Sequence, residues 1–173
     1  MKNVILSVLM SCMLFSIFGC TFVKPAEKVF SIDDYNLQIT ADTTFYDANS
    51  DNFDLQITND KSYISIFAFE YIDLPKDQTP LGVFDIQNEE VFSRREEVDL
   101  IEEIRTESFS NCTITQALHS AEYKGSKNYY ATYLIDFPKD EVFAWVLITS
   151  TPSHFTKNRE YFNNIVYSLT LIE

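Results

Sequence analysis

The stretch VFAWVLI, Val142–Ile148, decides the fold. In an extended strand, successive side chains point to opposite faces. Phe143, Trp145 and Leu147 then form one row, and Val142, Ala144, Val146 and Ile148 form the other. Neither row contains a polar residue. A strand that is apolar on both faces must be covered on both, so it belongs in the middle of a sheet with a layer above and below. YISIFAFEYI, Tyr63–Ile72, is largely apolar on both faces: Tyr63, Phe67, Phe69 and Tyr71 lie on one alternation, and Ile64, Ile66, Ala68 and Ile72 on the other.

The covering layers follow from two Thr-Pro pairs. Thr79-Pro80 and Thr151-Pro152 each read as a helix N-cap followed by proline in the first turn. After Pro80, Leu81, Phe84, Asn88 and Val91/Phe92 keep helical spacing. After Pro152, Phe155, Phe162, Ile165/Val166 and Leu169 do the same. Each helix offers one apolar stripe to a sheet face.

Further strands are predicted at Val29–Ile32 and Tyr35–Ala41 around a turn at Asp33-Asp34, and at Asp54–Thr58. Cys112–Tyr123 and Asn128–Phe137 are joined at Gly125, and Pro138-Lys139-Asp140 marks the next turn. This run of short turns implies antiparallel pairing. Val98–Thr106 suits a strand through its Val98, Leu100, Ile104 alternation, and its glutamates also suit a continuing helix; the strand is favoured. The fold class is α+β: a twisted antiparallel sheet covered by helices on both faces.

The head of the chain addresses location. Val4–Phe18 is an apolar run after Lys2, shorter than the roughly 20 residues of a membrane span and shaped like a secretory signal. It ends in Ile17-Phe18-Gly19-Cys20, which resembles the lipobox of bacterial lipoproteins. In that family the cysteine thiol takes a diacylglyceryl group and the signal is cut just before it. The resemblance implies residues 1–19 as a lipoprotein signal peptide, Cys20 as the lipidation site and residues 20–28 as a tether. Residues 29–173 then form a single domain, held at the outer face of the cell membrane. An uncleaved anchor helix with an incidental cysteine is the alternative.

Removing 19 of 173 residues leaves 154, and with Lys2 gone 12 basic residues face 26 acidic ones, a charge of −14. Such a balance repels nucleic acid, whose phosphates need clustered Lys and Arg. The basic piece SRREE, Ser93–Glu97, reads as neutralised by its neighbours. Hydrophobic residues at 46% suffice for a core.

The opening pair FSIDDYNLQITADTTF (Phe30–Phe45), the central ISIFAFEY (Ile64–Tyr71) and the end HFTKNREYFNNIVYSLTL (His154–Leu171) together resemble the PsbP-like fold. Small lipoproteins of Gram-positive bacteria look like the nearest kin. The resemblance implies docking or assembly with a protein or cell-envelope partner rather than catalysis, by analogy of fold.

Chemistry is sparse. The three glycines, Gly19, Gly82 and Gly125, cannot build a phosphate cradle, and no Gly-x-Ser-x-Gly elbow occurs. No cofactor is expected. Cys112 and His119 are seven apart, which sets them on opposite faces of one unbroken strand and weakens a hydrolase dyad. Cys112 reads as a buried hydrophobe and His154 as a solvated helix residue. Asp47, Asn49 and Asp51 match the first, third and fifth positions of a calcium loop. Asn52 and Thr58 stand where its glycine and glutamate belong, and Asx-rich turns occur without metal. Calcium or small-ligand binding is therefore the second reading, and no metal ligand is assigned. Tyr130, with Tyr123 or Tyr161, is a candidate exposed aromatic surface for sugar or protein contact.

Overall fold

The computed structural model describes residues 26–172. The signal, Cys20 and most of the tether lie outside the described residues. A seven-stranded sheet runs in the order β3 (Tyr46–Asp47), β4 (Leu55–Thr58), β5 (Ser62–Glu70), β9 (Val142–Ser150), β8 (Ser126–Phe137), β7 (Thr113–Tyr123), β6 (Glu96–Ser108). Every neighbouring pair is antiparallel. Helix α1 (Pro80–Ser93) connects β5 to β6, and α2 (Pro152–Tyr167) follows β9.

The opening hairpin departs from the expected single sheet. β1 (Glu27–Ile32) and β2 (Leu37–Asp42) pair with each other, and β10 (Thr170–Leu171) joins β2, giving a separate three-stranded sheet. Pairing of β2 with a strand about 130 residues away depends on where α2 delivers the chain, which no local pattern encodes.

β9 is central as expected, between β5 and β8, with Trp145 opposite Phe67 on one side and Leu134 on the other. None of residues 142–148 is more than 8% exposed. Its two rows enter two cores. Val142, Ala144, Val146 and Ile148 join a cluster with Ile64 and Ile66 of β5, Leu37 and Ile39 of β2, and Phe155, Phe162 and Val166 of α2. Phe143, Trp145 and Leu147 join a second cluster with Val83 and Phe84 of α1, Tyr130 and Leu134.

Local chemistry sets the boundaries. Thr79 caps α1, its hydroxyl accepting from the Gly82 amide at 3.1 Å, with Pro80 at the first position. Thr151 holds the same place before α2, but its side chain makes no capping bond. Lys124 and Gly125 both have positive φ (53° and 75°), the backbone a two-residue type I′ hairpin turn requires. Ile72, expected on a core row, is 83% exposed, because β5 ends at Glu70 and Tyr71–Asp73 forms a 3-10 turn. That turn swings Tyr71 so that its hydroxyl donates to Asp136 Oδ1 at 2.6 Å.

β6 is the strand that its alternation favoured, yet Val98, Leu100 and Ile104 are exposed. It forms one edge of the sheet, and its register on β7 slips three times. Bulges and charges on an edge blunt pairing with other chains. Glu102 ties this edge inward: its two carboxylate oxygens accept from the Arg159 guanidinium of α2. That hydrogen-bonded charge lowers the Glu102 carboxyl below its usual range.

Candidate functional site

A groove of about 450 Å³ opens between the C-terminal half of α1 and the sheet, within the size range of ligand sites. Its floor is aromatic. Phe53 precedes β4, Phe67 comes from β5 and Trp145 from β9. The Phe53 and Phe67 rings lie 4.8 Å apart, and Phe67 stacks on Trp145 at 6.0 Å. Trp145 is anchored beneath α1, its indole Nε1 donating to Asn88 Oδ1 at 3.2 Å. Gln87, Glu90, Val91 and Arg94 form the helical wall, with Asn52 at the rim.

The far end is cationic. Arg95, between α1 and β6, lies over the Tyr130 ring at 4.6 Å and over Tyr123 at 5.5 Å. Lys124 approaches Tyr123 at 5.1 Å. Arg94 pairs with Glu90 at 3.1 Å, both well exposed, so that pair contributes little. Arg95 has no carboxylate partner among the described residues; one guanidinium nitrogen donates to the Val91 carbonyl, and its buried Nε has no acceptor. The expectation that SRREE is self-neutralised therefore fails at Arg95, because the chain folds that side chain onto tyrosine rings.

His119 sits beside this end, its ring 4.4 Å from Phe92 and its Nδ1 buried without a partner. Burial lowers its pKa, which favours neutral imidazole. Thr132, whose hydroxyl is also buried and unpartnered, lies on the same β8 row as Tyr130 and Leu134.

The other sequence candidates do not converge. Tyr130 is only 1% exposed, since α1 and Arg95 cover it, so it underlies the groove rather than facing solvent. Tyr123 does line the groove, whereas Tyr161 is across the sheet, donating to Asp42 Oδ2. Cys112 packs on the α2-side core and His119 on the α1 side, so no dyad forms. Burial, with a smaller contribution from Asp136, pushes the Cys112 thiol up, away from the reactive thiolate. His154 caps nothing acidic; Asn158 bonds its ring and its carbonyl. In the Asp47 loop, Oδ1 accepts from the Asn49 amide at 2.7 Å, an Asx turn with Asn49 at φ 49°. Among the described residues no group of three or more His, Cys, Asp or Glu side chains is placed to hold a metal ion, and no helix is long and apolar enough to cross a membrane.

Phe53, Phe67 and Arg95 were not singled out in the sequence. Their signal was faint: a single aromatic row on one strand and an arginine pair in an acidic chain.

No family model and no curated protein matches the chain. Solved structures do. The cyanobacterial PsbP (CyanoP) of Synechocystis aligns with a TM-score of 0.63 at 8% identity, covering 90% of this chain and 99% of its own. The Ran-binding protein Mog1p of Saccharomyces cerevisiae aligns at 0.58 and 10%, covering 87% and 97%. LpqN of Mycobacterium tuberculosis, described as involved in cell envelope biogenesis, aligns at 0.59 and 10%, covering 85% and 84%. Identities this low speak to the fold alone, and the fold of this chain is PsbP/Mog1-like.

Proposed function

We propose that this protein is a non-catalytic binding module, moored by lipid on Cys20 at the outer face of a Gram-positive cell membrane, that contacts a protein or cell-envelope partner through the α1-side groove. The observation that carries the reading is the aromatic floor, where Phe53 and Phe67 are half-buried and Trp145, 1% exposed, backs them. Buried aromatic rings beside an arginine make the kind of anchor that dominates binding energy. The fold is read as a full sandwich, α1 sealing one sheet face and α2 with the small sheet sealing the other. The packing of Val83 and Phe84 in one core and of Phe155 and Phe162 in the other supports this. The short tether keeps the body near the bilayer, and the likeness to LpqN favours an envelope setting. The likeness to Mog1p favours protein contact. The hydrolase reading finds no nucleophile–base pair in Cys112 and His119 among the described residues, and the Asp47 carboxylate is engaged by its own loop.

The test is photo-crosslinking in intact cells. A photoreactive residue at Gln87, on the groove wall, is expected to capture discrete adducts that the same residue at exposed Lys139 does not. Identical adducts from both positions, or none from Gln87, would remove the groove from the proposal.

A further inference from the structure

We propose that the groove takes an acidic peptide segment, with an aromatic side chain on the Phe53–Phe67–Trp145 floor and a carboxylate on Arg95. This rests on the groove reading and names the chemistry of its occupant.

Three observations carry it. First, Arg95 has no carboxylate partner among the described residues, in a chain of net charge −13. Arg94 is taken up by Glu90, so Arg95 and the neighbouring Lys124 make the basic corner. Negative partners are steered to such a corner and repelled elsewhere. Second, Arg95 is pre-oriented. Its stacking over Tyr130 and Tyr123 and the bond to the Val91 carbonyl hold the fork in place; Nε is buried, and Nη2 is the guanidinium nitrogen left for a ligand. A fixed guanidinium that keeps a donor suits a carboxylate. Third, both ends line one groove of about 450 Å³, in which Tyr130, beneath Arg95, lies four residues along β8 from Leu134, the cross-strand neighbour of Trp145. Four strand residues span about 13 Å of backbone, so an extended peptide with three residues between its aromatic and its acid follows the groove.

The probe is acetyl-Phe-Gly-Gly-Gly-Asp-amide, titrated calorimetrically into the full-length protein in detergent micelles. Trp145, the chain's only tryptophan, reports groove occupancy by its emission. The Asp peptide is expected to bind on the order of tenfold more tightly than its Asn counterpart, since a hydrogen-bonded charge on a fixed arginine carries about that factor. Replacing its Phe with Ala is expected to weaken it comparably. In Arg95→Gln the Asp-to-Asn ratio is expected to fall to about one, with Asn-peptide affinity unchanged. Should Arg95→Gln fail to fold, the Asp-to-Asn ratio on the wild type decides alone. Equal binding of the two peptides, or displacement by inorganic phosphate at the same concentration, overturns the carboxylate assignment. Adducts from Gln87 without binding of either peptide overturn this inference and leave the groove reading standing; failure of both experiments removes both.

Discussion

Trp145→Ala is expected to destabilise the domain by about 3–5 kcal/mol, the range for truncating a large buried aromatic. For a chain of this size that lowers the thermal midpoint by on the order of 10 °C. The argument starts from position. Trp145 is 1% exposed on the central strand, stacked on Phe67, with its Nε1 bonded to Asn88 of α1. Removing the indole leaves a cavity under the helix and strips Asn88 Oδ1 of its donor, so transfer, cavity and hydrogen-bond losses act together. Tyr63→Ala is the comparison: Tyr63 is on β5 but 49% exposed, and its loss is expected to cost less than about 1 kcal/mol. Thermal or urea unfolding of each variant beside the wild type measures both. Equal effects would mean that the α1-side core does not hold the sheet as described.

The second large effect is all-or-none. Cys20→Ser is expected to release the protein from membranes or to leave it as an unprocessed, slower-migrating precursor. Under the proposed lipidation the Cys20 sulfur carries a diacylglyceryl group as a thioether, which a serine hydroxyl cannot form. Each buried methylene contributes about 0.8 kcal/mol, and two or more chains are needed for stable anchorage, so losing them removes the mooring rather than weakening it. Labelling with a radioactive fatty acid separates this from a fold defect, because Cys112, packed against the α2-side core, stays in place in the variant. Wild-type fractionation, migration and labelling by Cys20→Ser would contradict the lipidation proposal.

What was legible in the sequence followed from burial on short length scales. Residues 142–148 carry no polar side chain, so their central position and two-core packing could be read directly. Thr79-Pro80 announced α1 because cap and proline act within one turn. Ile72 was misplaced because strand alternation was extended through a 3-10 turn whose cause is tertiary, the Tyr71 bond to Asp136. Leu81 keeps helical spacing yet is half exposed, while Val83 takes the buried place, because α1 is apolar on more than one side and only packing chooses the face. The groove was out of reach for a different reason. Its floor joins Phe53, Phe67 and Trp145, and its cation is Arg95; the four meet only once β9 is inserted beside β5 and α1 crosses above them. Tyr130 shows the same limit: it was expected on an exposed aromatic surface, but the arginine lying over it was invisible in one dimension.

The reading that the α1-side groove is the working surface is tested most directly by hydrogen–deuterium exchange. The protein in the membranes of its host is compared with the same protein extracted into detergent. Slower exchange in the membranes is expected at residues 87–95 and 52–53, with α2 unchanged between the two states. Protection confined to the outer surface of α2, or none at residues 87–95, would contradict the account.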